Sequence, residues 1–441
     1  IIFEFILLEI VTKMLRYIKK DSHRWIYYYY TLYHLIDYRI SNVNKYVKLF
    51  IKDLITNYDE KINIDDIIAK SSQYIERNEY IIKYSNIELY NHQKQIYSIF
   101  KNTHNYNKEV ELYNDDLANA IKKEKQGNLV LYIAPTATGK TLTPIGLSTE
   151  YKIIFVCAAR HVGIALAKSA ISCGKKVAFG FGCSSADDIR LHYFAAKEYT
   201  RDRKSGSIRK VDNSVGDKVE IMICDIKSYR YAMYYMTSFN KPYDIITFWD
   251  EPTISLDYDN HPCHEIIKEN WRDNIIPNMV LSSATLPKQN EIIDVTLDFK
   301  SKFPDINIHS ILSNDCKKTI SLVNTSGYIE LPHFMYNDYN DIIKCVNHCE
   351  NYPTILRYFD LYEVSRFISY VNEKNICSND YITFENVFPT LGDVKMKEIK
   401  LHYLNILKNI KREHWETTFN YFQKTREYFI KPNNHIVTSL Q

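Results

Sequence analysis

Apolar side chains recur at helical intervals through the first 86 residues, a stretch without glycine or proline. Tyrosine and isoleucine follow this spacing through residues 45–54 and 67–82, and residues three or four positions apart share one face of a helix. We therefore predict a helical N-terminal region over residues 1–86.

From residue 128 the pattern changes to short apolar runs separated by polar or helical stretches. Runs of this length, bounded by turn residues, are typical of strands in a parallel sheet that is covered on both faces. The predicted strands are residues 129–133, 153–157, 177–181, 219–224, 245–249 and 279–281. Their alternation with helices indicates a doubly wound α/β domain over residues 87–312, which binds its ligands at the carboxyl ends of the strands.

A shift toward Asn, Asp and Ser at residues 313–326 marks a second boundary. Beyond it, residues 354–359 are predicted as a strand, and Leu361, Val364 and Phe367 mark the helix that follows. We expect a second α/β domain over residues 313–441.

Composition narrows the class of protein. The 441 residues are 45% hydrophobic and 25% charged, which excludes wholesale disorder and a disulfide-stapled miniprotein. The net charge of +3 does not by itself identify a nucleic-acid binder. Nine scattered cysteines favour reduced thiols in the cytoplasm or nucleus. Charged residues interrupt the apolar N-terminus, so we predict no membrane span.

The first predicted strand leads into a phosphate-binding pattern that has Ala134 in place of the usual first glycine. In such a loop the backbone N–H groups wrap the β-phosphate, and Gly139 permits the tight path. Lys140 is expected to reach the β- and γ-phosphates, and the Thr141 hydroxyl to hold Mg²⁺. The nucleotide-binding residues predicted from this loop are Ala134, Pro135, Thr136, Ala137, Thr138, Gly139, Lys140 and Thr141.

An acidic pair, Asp250 and Glu251, follows the strand at residues 245–249 and lies 110 positions beyond Lys140. If the two strands are neighbours, the pair emerges beside the phosphate loop. One carboxylate can hold Mg²⁺ while the other orients or deprotonates the attacking water. Lys140, Asp250 and Glu251 are therefore the predicted catalytic residues, with Thr141 and Asp250 as magnesium ligands.

Two further signals accompany these motifs. Ser283 and Thr285 follow the strand at residues 279–281, where small hydroxyl side chains can bond to the acidic loop and sense the γ-phosphate. Gln93 lies in an earlier predicted helix, and its side-chain amide can offer both a donor and an acceptor to an adenine edge.

Together, Gln93, residues 134–141, residues 250–253 and residues 283–285 resemble the Q-motif and motifs I, II and III of superfamily 2 helicases, the DEAD/DEAH-like nucleic-acid-dependent ATPases. The resemblance covers roughly residues 86–300. It implies tandem RecA-like domains, ATP and Mg²⁺ as ligands, and DNA or RNA as the partner.

The resemblance also implies individual roles. Asp250 coordinates the metal, Glu251 acts as the base-like residue, and Ser283 and Thr285 couple hydrolysis to strand movement. Arg160, within residues 155–162, matches the arginine of motif Ia, which contacts the nucleic-acid backbone.

The chain departs from the family pattern in two places. Pro252 and Thr253 replace the last two letters of motif II, which leaves the acids intact and the subfamily open. Residues 354–359 and 435–440 resemble the strands at motifs IV and V, but the paired arginines of motif VI are missing. Since the chain also opens on Ile1, we expect a piece of a longer protein with an incomplete second domain.

Alternatives remain open from the sequence. The chain could be a double-stranded-DNA translocase that does not separate strands, or a nucleotide-binding interaction module with vestigial hydrolysis.

The basic segment at residues 201–210 suits either a phosphate-backbone contact or a solvated loop. Metal binding at residues 257–264 or 345–349 is disfavoured by the spacing. The tyrosine-rich, AT-biased composition fits a large DNA virus, with a virion or viral factory as its location, or an AT-rich microbe.

Overall fold

The computed structural model describes residues 2–37, 43–85, 89–116, 124–136, 138–202, 204–255, 258–315, 318–378 and 387–430. The chain forms two compact units. We call Tyr90–Ser313 the sheet unit, and we call Ile1–Leu89 together with Asn314–Gln441 the helical unit.

The sheet unit is built on an eight-stranded sheet in the order β10-β1-β9-β8-β2-β7-β3-β4. All neighbouring strands are parallel except the edge pair β3 and β4. The two remaining strands, β5 and β6, form a separate antiparallel hairpin. The bounds are β1 (Gly127–Ile133), β2 (Lys152–Cys157), β3 (Val177–Gly180), β4 (Arg190–Leu191), β5 (Tyr199–Arg201), β6 (Ile208–Val211), β7 (Ile221–Asp225), β8 (Ile245–Asp250), β9 (Asn278–Ser283) and β10 (Ile306–Leu312).

The predicted α/β class is confirmed, and each of the six predicted strands is present as β1, β2, β3, β7, β8 or β9. Successive side chains of β1 enter two different cores: Leu129 and Leu131 pack on one face of the sheet, and Val130 and Tyr132 on the other. A strand that is buried on both faces needs apolar residues at consecutive positions. This is why a continuous apolar run, rather than an alternating one, identifies these strands.

Helices cover the sheet between the strands. They are α6 (Asn91–Asp116), α7 (Thr143–Leu147), α8 (Arg160–Ser172), α9 (Tyr229–Thr237), α10 (Cys263–Asp273) and α11 (Ile293–Lys302).

The register of the parallel strands brings several strand ends to one edge of the sheet. Ile133 at the end of β1 pairs with Ser283, and Ser282 pairs with Asp250 at the end of β8. Asp250 in turn pairs with Cys157 at the end of β2. Any polar side chain that follows these strands therefore lies at the same edge.

The helical unit contains the predicted N-terminal helices and also the helices after residue 313. Its members are α1 (Ile2–Lys19), α2 (Trp25–Leu35), α3 (Lys45–Asp59), α4 (Ile64–Ala69), α5 (Glu79–Ser85), α12 (Pro332–Met335), α13 (Tyr339–Asn351), α14 (Leu361–Lys374), α15 (Met396–Asn409) and α16 (Arg412–Lys424). Residues from both segments share one core: Tyr30 in α2, for example, donates a hydrogen bond to the carbonyl oxygen of Val394 at 3.2 Å.

The strand predicted at residues 354–359 is wrong. Pro353–Tyr358 is a 3-10 helix, and the predicted helix after it is present as α14. Periodicity does not separate a short apolar run in a strand from one in a buried helical turn. Here Pro353 begins the helical turn, where the missing N–H of proline costs no hydrogen bond, and Leu356 is fully buried in the helical core.

The expectation of a second RecA-like parallel sheet finds no support in the described part of residues 314–430. Those residues contain helices and isolated β-bridges but no named strand. The strand expected at residues 435–440 lies outside the described residues. Among the helices that the structure describes, none is long and apolar enough to cross a membrane.

The two-faced burial of β8 predicts a large effect of Ile246→Ala, because Ile246 is fully buried in the sheet core. Removing its side chain should lower the free energy of unfolding of the sheet unit by about 2–5 kcal/mol. Urea denaturation followed by circular dichroism measures the change. The control is Ile293→Ala, at a position 53% exposed on α11, which should stay within about 0.5 kcal/mol of the parent. Equal effects of the two substitutions would contradict the assigned burial.

Candidate nucleotide-binding site

The loop after β1 has the tight path that a phosphate-binding loop requires. It leads through Gly139 into a 3-10 turn, Lys140–Leu142, and then into α7. Gly139 has a φ of +79°, and a Cβ atom there would lie 2.8 Å from the Gln93 Nε2 atom. The left-handed backbone favours glycine at this position, and a Cβ atom would also displace the Gln93 amide from the loop. Ala137, predicted as part of the loop, lies outside the described residues.

Gln93 contacts this loop directly. Its Nε2 atom donates to the carbonyl oxygen of Gly139 at 3.2 Å, and its Oε1 atom accepts a hydrogen bond from the Tyr90 N–H at 3.0 Å. The side chain is buried, and the protein engages both ends of its amide. The structure thus joins Gln93 to the loop, while its contact with an adenine edge stays a prediction.

A buried polar network that the sequence did not reveal supports the loop from below. The His92 Nδ1 atom lies 2.5 Å from the Tyr132 hydroxyl, which lies 3.4 Å from the Thr143 hydroxyl. Thr143 in turn donates to the carbonyl oxygen of Gly139 at 3.3 Å. Burial raises the pKa of Tyr132, so its hydroxyl remains a donor at neutral pH. The one signal in the sequence is that His92 directly precedes Gln93.

The side chains of the loop also hold its own backbone. Lys140 is buried, and its Nζ atom donates to the carbonyl oxygen of Ala134. The Thr138 hydroxyl donates to the carbonyl oxygen of Pro135 at 2.7 Å. The Lys140 side chain therefore links the end of the loop back to its start.

The strands that carry the loop and the acidic pair are not neighbours, because β9 lies between β1 and β8. The end of β9 nevertheless joins the two. Its Ser283 carbonyl oxygen accepts from the Ala134 N–H at 3.4 Å, and its Ser282 carbonyl oxygen accepts from the Glu251 N–H at 2.7 Å. The loop and the acids therefore meet through one intermediate strand.

Side-chain hydrogen bonds repeat this connection. Ser283 donates to the Glu251 Oε2 atom at 2.6 Å, and Ser282 donates to the Asp250 Oδ1 atom at 3.5 Å. The Thr285 N–H donates to the Ser283 hydroxyl at 3.1 Å. The predicted bonding of Ser283 to the acidic loop is thus present, whereas the coupling role of Ser283 and Thr285 stays a prediction. Ser282, which opens the same run of small residues, bonds to the acidic loop as well.

Glu251 has a left-handed backbone, with a φ of +52°. For a residue with a Cβ atom this conformation costs roughly 1–2 kcal/mol. Such strain persists where the surrounding contacts hold it, and it clusters at functional sites. At Glu251 those contacts are two hydrogen bonds with the end of β9. The Ser283 hydroxyl donates to the Glu251 carboxylate, and the Glu251 N–H donates to the Ser282 carbonyl oxygen.

The electrostatics of Asp250 are those of a buried acid beside another acid. Burial and the negative charge of Glu251 raise the pKa of Asp250 to about 6, although Lys140 and hydrogen bonds from Ser282 and Thr141 act in the opposite direction. The ionised carboxylate is therefore undercompensated by the protein. A bound cation would supply the missing positive charge.

The donor set fits magnesium. The Thr141 hydroxyl is within hydrogen-bonding reach of the Asp250 carboxylate, so two oxygen ligands lie together beside the phosphate loop. Mg²⁺ is usually held by one or two such protein oxygens together with substrate phosphates and water.

Arg160 lies at the first position of α8, after the carboxyl end of β2. It is exposed, and its guanidinium lies 5.1 Å from the centre of the Phe181 ring. The structure places it at the same sheet edge as Asp250, and its contact with nucleic acid stays a prediction. Among the described residues, which include 258–264 and 345–349 but not Asp257, no group of three or more His, Cys, Asp or Glu side chains could hold a metal ion.

No family model matches this chain, and a search of curated proteins found no similar sequence. Among solved structures, one similar chain is described as the "Crystal structure of Pyrococcus furiosus Hef helicase domain". The similarity covers 68% of this chain and 67% of that chain, at 11% sequence identity and a TM-score of 0.26. Because the likeness is this slight, the residues of the site and not this neighbour support the function proposed below.

The raised pKa predicts a pH-dependent effect of Asp250→Asn on stability. The pKa of about 6 lies about 2 units above the ordinary value for aspartate, so the ionised carboxylate destabilises the folded state by about 3 kcal/mol. This penalty is absent below about pH 4, grows between about pH 4 and 6, and is complete above pH 6. The substitution should therefore stabilise the protein at pH 8 and leave it unchanged at pH 4.

Urea denaturation at both pH values, with EDTA present to remove divalent cations, measures this difference. The control is Asp305→Asn, which makes the same substitution at an exposed position of the same unit. An equal effect of Asp250→Asn at pH 4 and pH 8 would show that the carboxylate is not destabilised by its surroundings.

Proposed function

We propose that the sheet unit binds ATP with Mg²⁺ and hydrolyses it, and that the chain is a nucleic-acid-dependent ATPase of the superfamily 2 helicase type. One observation carries the proposal. The end of β9 bonds on one side to the phosphate-binding loop and on the other to Asp250 and Glu251. The Lys140 cation, the Thr141 hydroxyl and the two carboxylates therefore lie at a single sheet edge.

Each group has a distinct task in phosphoanhydride hydrolysis. The backbone N–H groups of the loop bind the phosphates, and Lys140 neutralises their charge. Thr141 and Asp250 would hold Mg²⁺, which would supply charge stabilisation to the phosphate oxygens. Glu251, held by Ser283, orients the attacking water and accepts its proton.

The coupling to nucleic acid is the finer part of the proposal. It is supported by the order of the motifs along the chain and by the exposed Arg160 at the edge of the site. Ser283 offers a link from the site to the residues after β9. It bonds to Glu251, and its hydroxyl lies 3.3 Å from the Thr285 hydroxyl. A displacement of Glu251 during hydrolysis would therefore reach the segment that follows β9.

Lys140→Ala and Glu251→Gln should each abolish ATP hydrolysis stimulated by DNA or RNA and leave the circular dichroism spectrum unchanged. The first removes the charge that faces the phosphates, and the second removes the proton acceptor. Phosphate release is measured with and without single-stranded DNA or RNA. The matched controls are Lys168→Ala and Glu150→Gln, at exposed positions of the same unit, and both should retain parental rates.

Undiminished phosphate release by either site variant would contradict the assignment. If the parent protein hydrolyses ATP, strand displacement on a forked duplex separates a helicase from a double-stranded-DNA translocase. A parent protein that binds ATP but releases no phosphate with any nucleic acid would instead support a nucleotide-binding module with vestigial hydrolysis.

Gln93→Ala should raise the KM for ATP roughly tenfold, because the loop loses the hydrogen bond to the carbonyl oxygen of Gly139 and the expected contact with adenine. The matched control is Gln95→Ala, at an exposed position of the same helix. Steady-state kinetics with ATP and GTP distinguish the two contributions: loss of the loop contact alone affects both nucleotides equally, whereas loss of an adenine contact reduces the preference for ATP. An unchanged KM for ATP would remove Gln93 from the site.

A further inference from the structure

Residues 190–211 lie in the chain between β3 and β7, two neighbouring strands of the sheet, and the proposed ATPase site does not use them. We call these residues the insertion. They comprise β4, the β5–β6 hairpin and the turn between β4 and β5. Strand β4 joins the sheet by antiparallel pairing with β3. The hairpin itself pairs only within itself among the described strands, with Tyr199 opposite Val211 and Thr200 opposite Lys210.

The insertion is strongly basic. It contains seven cationic side chains and two carboxylates, a net charge of +5, whereas the whole chain carries +3. The cationic residues are Arg190, Lys197, Arg201, Arg203, Lys204, Arg209 and Lys210. A nearly neutral chain thus concentrates positive charge in one short segment.

The carboxylates neutralise only part of this charge. Asp202 pairs with Arg209, and its second role is structural: it accepts hydrogen bonds from the N–H groups of Lys204 and Ser205 at 2.8 and 2.9 Å. Lys197 lies 3.7 Å from Asp217, outside the insertion. Arg201, Lys204 and Lys210 are exposed.

A cluster of rings lies beside these cations. Tyr193 has its ring centre 4.4 Å from that of Phe194 and 5.4 Å from that of Tyr199. The Arg201 guanidinium lies 5.3 Å from the Tyr199 ring and 6.0 Å from the Tyr193 ring. Phe194 and Tyr199 are 47% and 41% exposed. We call Tyr193, Phe194, Tyr199 and Arg201 the ring cluster.

The sheet edge and the core hold the residues on both sides of Tyr193 and Phe194. The His192 N–H donates to the Val177 carbonyl oxygen at 2.9 Å, and the Leu191 N–H donates to the Asn213 side chain at 2.8 Å. Ala195 and Ala196, directly after the first rings, are buried. Stacking partners that are held in place lose little entropy on binding.

The insertion is distant from the phosphate-binding loop. Five strand spacings separate β1 from β3, which is roughly 24 Å at about 4.8 Å per strand. Strand β4 runs antiparallel to β3, and the His192 N–H bonds to the first residue of β3. The chain after β4 therefore leaves the sheet at the amino end of β3, and the cluster begins there. The phosphate loop lies at the carboxyl ends.

We propose that the ring cluster and the exposed cations Lys204 and Lys210 form a binding surface for single-stranded nucleic acid, separate from the ATPase site and independent of ATP. The cations contact backbone phosphates and release counterions. Phe194 and Tyr199 stack on unpaired bases, and Arg201 extends the same stacking surface. This assignment needs no hydrolysis and therefore does not depend on the ATPase activity proposed above.

The aromatic component decides between possible partners. A duplex offers its phosphates to the cations, but its bases are already stacked on one another and are closed to protein rings. An acidic protein likewise satisfies the charge and leaves the exposed rings unused. A flexible single strand presents both phosphates and free base faces, which is the combination that this surface matches.

Fluorescence anisotropy of a labelled oligodeoxythymidylate and an oligouridylate, each of about 20 nucleotides, tests the proposal on the full chain without ATP. Tyr199→Ala should weaken binding of the oligonucleotides roughly tenfold, and Tyr234→Ala, at a tyrosine 49% exposed on α9, should not. The double variant Lys204→Glu and Lys210→Glu should weaken binding and reduce its salt dependence. The matched double variant Lys168→Glu and Lys300→Glu, at exposed positions, should bind as the parent does.

Three results would overturn the proposal: a parent protein that binds neither oligonucleotide, a parent that binds duplex or heparin as tightly as the single strand, or hairpin variants that bind no more weakly than their controls. Lys140→Ala separates this proposal from the ATPase. It should bind the oligonucleotides as tightly as the parent does. Loss of hydrolysis with retained binding supports both assignments, and loss of binding in Lys140→Ala would place the nucleic-acid surface elsewhere.

Discussion

Strand β9 is the constraint on which the candidate site depends. It is buried along its whole length and pairs with β1 on one side and β8 on the other. The phosphate loop and the acidic pair lie 110 positions apart in the chain, and neither strand that carries them touches the other. Hydrogen bonds from the last two residues of β9 to both sides set the distance between Lys140 and the carboxylates. A change of register at β9 would therefore separate the two halves of the site.

The site is assembled at a cost in stability. Asp250 is buried beside a second carboxylate, and Glu251 adopts a left-handed backbone. Both features raise the free energy of the folded state. The apolar core on the two faces of the sheet offsets this cost. Sites of function are where such strain and desolvation are found. The undercompensated charge of Asp250 is also what would make a divalent cation bind favourably there.

In the helical unit, the secondary structure predicted from a short local pattern differs from the one that the fold adopts. Residues 354–359 are predicted as a strand from their pattern, yet Pro353–Tyr358 forms a 3-10 helix. A strand is stable only when a neighbouring strand satisfies its backbone hydrogen bonds, and the described residues around this segment are helices. The N-terminal segment, whose periodicity extends over many turns, is helical as predicted. Long periodic signals survive tertiary context, whereas a run of six residues takes the structure that its surroundings allow.

Sequence alone determined the six central strands, the phosphate-loop pattern and the acidic pair, because continuous apolar runs and strand-end motifs are local properties of the chain. It could not determine which strands are neighbours, since pairing depends on contacts between residues far apart in sequence. Only the tertiary structure placed β9 between β1 and β8, joined Gln93 to Gly139, and revealed the network from His92 through Tyr132 to Thr143. Likewise, the charges of residues 201–210 did not by themselves distinguish a phosphate-backbone contact from a solvated loop. Only the tertiary structure joins the rings of Tyr193, Phe194 and Tyr199 into one surface and places Tyr193 beside Arg201, because these contacts depend on how the chain folds back between β4 and β5.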